Sequence, residues 1–254
     1  MTQIGGGQNR LKPHSHFTYS HTLPKIAISL ALLLGGANIA LAEESGVFVG
    51  AEIGYGAGKF ETKVTLPTGS DRLKYDGGGV KYGVVVGYKQ FFTPYLGLRY
   101  YANVSIMHGN LENDAYAGTY WKQKVDGTLV NYGANVDFLA NFVANETLDF
   151  GAFLGLGIGG NTWISDDLDD FEDREVAQVA GAFNQTWKLT RTGFDLSLNV
   201  GLRANIAKHH GVELVAKVPF LETTLLDKKI PNMGSVKNTL HQPFSVTARY
   251  TFSF

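Results

Sequence analysis

Cysteine is absent from the 254 residues, which excludes a disulfide framework and thiolate chemistry. Acidic residues are absent before Glu43. After residue 42 no apolar run approaches the ~20 residues that a membrane-spanning helix requires. An excess of basic residues is also missing. Three of the 22 Lys and Arg (Arg10, Lys12 and Lys25) precede Glu43, which leaves 22 − 3 = 19 against 23 Asp and Glu, a net charge of −4 over 43–254. No electrostatic footprint for nucleic acid remains.

What is present begins with a leader. Arg10, Lys12 and Lys25 precede the apolar run 26–39, and Ala40-Leu41-Ala42 follows it. That is the order of a basic region, an apolar region and a small-residue cleavage site. We expect 1–42 to be a signal peptide cut between Ala42 and Glu43, and 43–254 to be one exported domain.

Beyond the leader the dominant pattern has period two. In 244–254, Phe244, Val246, Ala248, Tyr250, Phe252 and Phe254 share one face, while Ser245, Thr247, Arg249, Thr251 and Ser253 share the other. Seven earlier segments alternate in the same way: 46–60, 80–91, 95–106, 128–142, 148–163, 193–207 and 212–220. The connections between the eight segments run long, short, long, short, long, short, long. Transmembrane barrels have an even number of antiparallel strands, long outer loops and short periplasmic turns. Only helices and closed barrels satisfy every backbone group in lipid, and no helix is available here. The expected fold is therefore all-β, a transmembrane eight-stranded antiparallel up-and-down barrel in a Gram-negative outer membrane, with both termini periplasmic.

This register assigns the charges. Lys81, Lys89, Arg99, Arg203, Lys217 and Arg249, with Glu52, Asp137, Asp195 and Glu213, fall on the face opposite the apolar rows. On the lipid face each basic charge would cost ~2–4 kcal/mol near the midplane. Eight strands leave an interior that side chains just fill, so these charges are expected to pair and plug it. Six basic against four acidic residues would bias any path toward anions. Trp121, Trp163 and Trp187 fall near the loop ends of strands and are expected to form an outer aromatic girdle.

Several stretches resemble the Helicobacter outer membrane protein family of adhesin-like and porin-like barrels. They are Gly97-Leu98-Arg99-Tyr100-Tyr101, the strand 132–142, and 150–163 with its Gly-Asn-Thr-Trp ending. Gly201-Leu202-Arg203-Ala204-Asn205, His210-Gly211-Val212-Glu213-Leu214, Lys217-Val218-Pro219 and the aromatic C-terminus also fit. The resemblance implies surface display, with host-cell attachment or passive permeability. The chain lacks the long N-terminal extracellular domain and Cys pairs of the large adhesin members, so it resembles a small, barrel-only member. In this class the terminal aromatic strand, here Tyr250, Phe252 and Phe254, is what the assembly machinery reads.

Other chemistry is sparse. The acidic run 166–173 lacks the Gly and closing Glu of an EF-hand and reads as a solvated loop, with divalent-cation binding left open. A short helix is expected after it, with Val176, Ala180 and Phe183 on its apolar side. His209 and His210 are adjacent, which on a strand points them to opposite faces, so they read as a turn pair. Ser105 and His108 are the nearest approach to a nucleophile and base, without an orienting carboxylate. No enzyme, cofactor or metal centre is expected. The expected partners are outer-membrane lipid and lipopolysaccharide, the barrel assembly machinery and a host-surface ligand, with no nucleic acid. Deleting Phe254 is expected to impair assembly; membrane-inserted, heat-modifiable protein at normal levels without Phe254 would refute that role for the last strand.

Overall fold

The computed structural model describes residues 43–113, 124–182, 184–230 and 232–254. The expected leader, Trp121 and Phe183 lie outside them. Among the described residues there are ten strands: β1 Gly46–Leu66, β2 Gly69–Phe91, β3 Leu96–Glu112, β4 Lys124–Ala144, β5 Leu148–Ile164, β6 Thr192–Ile206, β7 His210–Pro219, β8 Thr223–Ile230, β9 Gly234–His241 and β10 Ser245–Ser253. The first seven pair antiparallel in chain order. β10 pairs with β7 on one side and with β1 on the other, from Phe48↔Ser253 to Gly56↔Ser245. Eight strands thus form a closed ring, with no open edge in the lipid-facing band.

That band is visible in the outward rows. Val49, Ala51, Ile53 and Tyr55 of β1 stand exposed opposite Val86, Val84, Tyr82 and Val80 of β2, and β3 to β7 continue the pattern. At residue 58 of β1 the alternation continues but its polarity inverts. Lys59, Glu61 and Lys63 now point outward, and Phe60 and Thr62 are buried. The same inversion puts Arg72, Lys74 and Asp76 of β2 outside, with Tyr75 inside. Lys59–Asp76 (3.3 Å), Arg72–Glu61 (3.8 Å) and Lys74–Glu61 (3.9 Å) link the two strands on the outer surface. Below this level the wall has lipid outside and polar groups inside. Above it the wall has water outside and an apolar core inside, as in a soluble barrel.

The expected polar connection over 61–78 is therefore strand. β1 and β2 stay paired to Leu66↔Gly69, with a two-residue turn at Pro67 and Thr68. The expected loop 221–243 likewise contains β8 and β9. After Ala57 N–H bonds to the Phe244 carbonyl, β9 takes over from β10 as the partner of β1, from Lys59↔His241 to Thr65↔Ser235. The acidic run is not a loop either. Ser165 caps a helix, its Oγ accepting from Leu168 N–H at 3.3 Å. Asp166, Asp167 and Asp169 sit in the first turn, where the helix dipole favours negative charge. The helix runs as α1 Asp166–Phe171, a π-helical turn Glu172–Val176, and α2 Ala177–Ala182. Leu168, Val176 and Ala180 face into the mouth of the barrel and are buried.

Inward glycines on β5 make the lumen roomy enough for the long side chains opposite. A Cβ at Gly155 would collide with Asp137 Oδ1 and with the backbone of β4, whereas one at Gly181 on α2 would meet open space. Gly155→Ala is expected to lower the urea midpoint of the folded barrel, by a stability loss of about 1–3 kcal/mol from overpacking. Gly181→Ala should leave that midpoint within error or raise it.

Candidate functional site

Cross-strand register brings the interior charges together. Arg99 of β3 lies directly opposite Asp137 of β4, and Arg249 of β10 lies opposite both Glu213 of β7 and Glu52 of β1. Arg99 donates to Asp137 Oδ2 from Nη2 at 2.6 Å and from Nε at 3.1 Å. Its Nη1 reaches across the lumen to Glu213 Oε1 at 2.5 Å. Glu213 Oε2 accepts from Arg249 Nη1 at 3.4 Å, and Arg249 donates to Glu52 Oε2 at 2.7 and 2.9 Å. The result is an alternating chain, Asp137–Arg99–Glu213–Arg249–Glu52, that crosses the ring. Tyr101 packs between the two guanidiniums, its ring centre 5.1 Å from each, and the Phe153 ring lies 4.7 Å from Arg99.

A second layer lies toward the short turns. Glu43 Oε1 accepts from Lys89 Nζ at 2.7 Å and from Arg203 Nη2 at 2.5 Å, and Arg203 Nη1 also donates to Asn141 at 2.9 Å. On the loop side of the central chain, Lys81 Nζ donates to Ser245 Oγ at 3.2 Å and to Asn131 Oδ1 at 3.5 Å. Asn103, Asn135 and Asn199 form a bonded row there, at 2.7 and 3.0 Å. The gap beside them, lined by Lys81, Lys217, Glu52 and Arg249, measures about 10 Å³, room for about one water. Nine of the ten charges assigned to the interior are buried; Lys217 is half-buried on the same face.

Two buried acids were missing from that assignment, Glu43 and Asp149. With them the interior holds six acidic residues (Glu43, Glu52, Asp137, Asp149, Asp195, Glu213) against the six basic ones, so the expected basic excess disappears. Asp149 was legible, because it shares parity with Gly151 and Phe153. Glu43 was not, because it precedes β1 and no alternation places it.

Above the charges lies an apolar cluster. Phe60, Met107, Leu129, Trp163, Trp187 and Leu240 form one cluster with Leu168, Val176 and Ala180 of the helix and with Leu225 and Leu226 of β8. This corrects the girdle assigned to Trp163 and Trp187. Both are only 6% exposed and point inward, because they lie above the level at which the wall inverts. The outward aromatics near that level are Tyr55, Tyr82, Tyr132 and Phe194. Tyr250 and Phe254 of the terminal segment are exposed, and Phe252 is partly so.

The remaining candidates separate. Ser105 is buried and faces inward. His108 is exposed on the outer face, its ring nitrogens 2.9 Å from the Tyr82 hydroxyl and 2.8 Å from Thr128 Oγ1, so the two do not form a catalytic pair. His209 and His210 flank Phe252 and lie 2.9 Å from the Ser253 carbonyl and 2.7 Å from the Tyr250 hydroxyl, respectively. The helical acids are engaged locally. Arg191 pairs with Asp169 and Glu172, and Asp167 accepts from Asp126 N–H at 2.8 Å. Among the described residues no three His, Asp or Glu are grouped to hold a metal ion.

A family model described as Helicobacter outer membrane protein matches residues 83–254. The chain belongs to this family. It is an outer-membrane β-barrel, and the match covers everything from the lipid-facing part of β2 to the last aromatic residue. No curated protein matches the chain. Among solved structures, the outer membrane protein OprG from Pseudomonas aeruginosa is similar at 13% identity, over 84% of this chain and 99% of that one, with a TM-score of 0.48. Neisserial surface protein A is similar at 12% identity, over 84% and 100%, with a TM-score of 0.36. Ail, the attachment invasion locus protein of Yersinia pestis, is similar at 16% identity, over 82% and 99%, with a TM-score of 0.31.

Arg99 is fully buried and holds two carboxylates. Arg99→Leu is expected to cost about 3–5 kcal/mol in urea unfolding of the refolded barrel, since it leaves Asp137 and half of Glu213 as uncompensated buried charge. Lys228→Leu on the exposed part of β8 should change stability by no more than about 0.5 kcal/mol.

Proposed function

We propose that this outer-membrane barrel is a sealed surface-display protein with an adhesin-like role, in which the loop end meets other surfaces and the interior does not conduct. In this reading 1–42 is removed, the loop end faces outward and both termini are periplasmic. The acidic and basic groups of the lumen serve stability, and the aromatic end of β10 serves assembly.

The observation that carries this reading is the pair of layers stacked in the lumen. The chain of five charges crosses the ring, and the apolar cluster of strand and helix side chains fills the mouth above it. A permeant ion would have to break Arg99–Glu213 or Arg249–Glu213 and then pass a dry layer formed by Met107, Leu129 and Trp163. The balance of six acidic and six basic groups also removes the electrostatic reason for anion preference. What stands outside the band is substantial: the β1–β2 hairpin, the helix and the β8–β9 hairpin together offer a broad polar surface with mixed charge, which suits contact with a host-surface ligand or lipopolysaccharide.

Refolded chain 43–254 is expected to insert in a planar bilayer without stepwise conductance. Cells displaying it are expected to adhere to host-cell monolayers, and to lose that adherence when 166–190 is replaced by a short Gly-Ser linker. Stable, anion-biased openings from folded protein would replace this reading with a porin-like channel. Silence together with unchanged adherence after the replacement would remove the helix from the contact surface.

A further inference from the structure

The mouth of the barrel is not filled evenly. Between the helix and the inner face of β1, β2 and β4 a cavity of about 140 Å³ remains, walled by Phe60, Leu73, Tyr75, Val125, Leu168 and Phe171. A cavity near ~150 Å³ with apolar walls accepts one benzene ring. Three of the walls are aromatic. The Phe60 and Tyr75 ring centres are 5.7 Å apart, and Phe171 meets Phe60 edge-on at 6.5 Å.

One polar group in this wall is buried without a partner, and a half-buried carboxylate stands in the same wall. Thr62 is 4% exposed, and its Oγ1 is buried without a hydrogen-bond partner. An orphaned buried hydroxyl is costly, and a ligand donor that reached it would recover that cost. Glu175 lines the same cavity from the π-helical turn and has no ion pair among the described residues. The other charges of the rim are engaged with one another: Asp167 accepts from the Asp126 backbone, and Arg174, which also lines the cavity, pairs with Asp170 at 3.6 Å. A π-helical turn inside an α-helix is itself often found at functional sites.

We propose that this cavity binds a small primary amine carrying one aromatic or similarly sized apolar group, with the ring between Phe60, Tyr75, Leu73 and Phe171 and the ammonium donating to Glu175 and Thr62 Oγ1. The aromatic faces add cation–π attraction. The carboxylate selects amines over neutral and anionic compounds of the same shape. Burial holds the Glu175 carboxyl above the usual carboxylate range, and the Tyr75 hydroxyl is pushed up by burial and by the nearby Glu175 charge. Both directions mark a site that a bound cation would relieve. The site lies above the charged layers of the lumen and does not depend on whether those layers conduct.

The test uses the barrel purified from outer membranes in detergent, titrated with benzylamine, benzyl alcohol and benzoate. Trp163 and Trp187 lie in the adjoining apolar cluster and report binding through their fluorescence. Saturable binding is expected for benzylamine, with benzyl alcohol weaker by about tenfold, the ratio expected for losing one charge-assisted hydrogen bond, and benzoate weaker still. Glu175→Gln should bring benzylamine down to the level of benzyl alcohol without changing the latter. Thr62→Val, an isosteric change that removes the orphaned hydroxyl, should weaken benzylamine while leaving the folded, heat-modifiable form intact. Benzylamine affinity should also fall as pH drops and Glu175 takes up its proton. A non-saturating response in the folded protein, equal binding of the three compounds, or affinities untouched by both substitutions would overturn the proposal.

Discussion

Every backbone N–H and C=O inside the hydrocarbon layer must find its partner within the chain, and for strands the only solution is a ring. Here the ring depends on β10 meeting β1, from Phe48↔Ser253 to Gly56↔Ser245. Without those pairs two strand edges would face lipid with unsatisfied groups. Closure then dictates what lies inside. A ring of eight is too narrow for a wide aqueous channel, so the polar groups that alternation turns inward must satisfy one another. The register does this directly: Arg99 stands opposite Asp137, and Arg249 stands between Glu213 and Glu52. One constraint thus accounts for the apolar outer rows, the paired charges and the inward glycines that leave them space.

The same strands obey a different solvent a few residues further on. Above residue 58 the wall leaves the lipid, and water now satisfies the outward positions, so Lys59, Glu61, Lys74 and Asp76 appear there. The interior is now the drier side, and Phe60, Tyr75, Leu111 and Trp163 turn inward with the helix and β8 packed on them. The helix is held by that apolar contact and by local polar ties. Ser165 caps its start, and Glu172 Oε2 accepts from Leu189 N–H at 3.0 Å and from Arg191 at 3.3 Å. A polar lumen and an apolar cluster therefore stack in one barrel because the solvent outside changes, not because the backbone does.

This inversion also decides how much was legible in the sequence. The eight lipid-crossing segments, their inward charges and the closing aromatic strand follow from period two with the apolar row outside. Alternation also runs through 59–63 and 72–76, but there the apolar row turns inward, so an apolar row on the lipid face ends where the polarity changes. The Trp163 position shows the cost. Its parity with Phe153 already placed it inward, while the habit of aromatic girdles placed it outward; parity is geometric and holds in either solvent. The β8–β9 hairpin was obscured for another reason. Its strands are short, and Leu225 and Leu226 are adjacent buried residues beside a register shift between Thr224 and Leu226, so no clean alternation survives.

Glu43 was illegible for a deeper reason, and it shows what periodicity leaves out. It belongs to no strand, yet its carboxylate lies between Lys89 of β2 and Arg203 of β6. Those two cations face a lumen in which another buried acid, Asp149 of β5, forms no ion pair with either among the described residues. Removing Glu43 would therefore leave two positive charges desolvated at the turn end, the costly half of a buried pair. The residue that follows the expected cut thus completes the electrostatics of the wall, although nothing in the ring's hydrogen bonding requires it. The ring of backbone pairs and the neutrality of its contents are separate conditions. The second is met by a side chain that the first does not position.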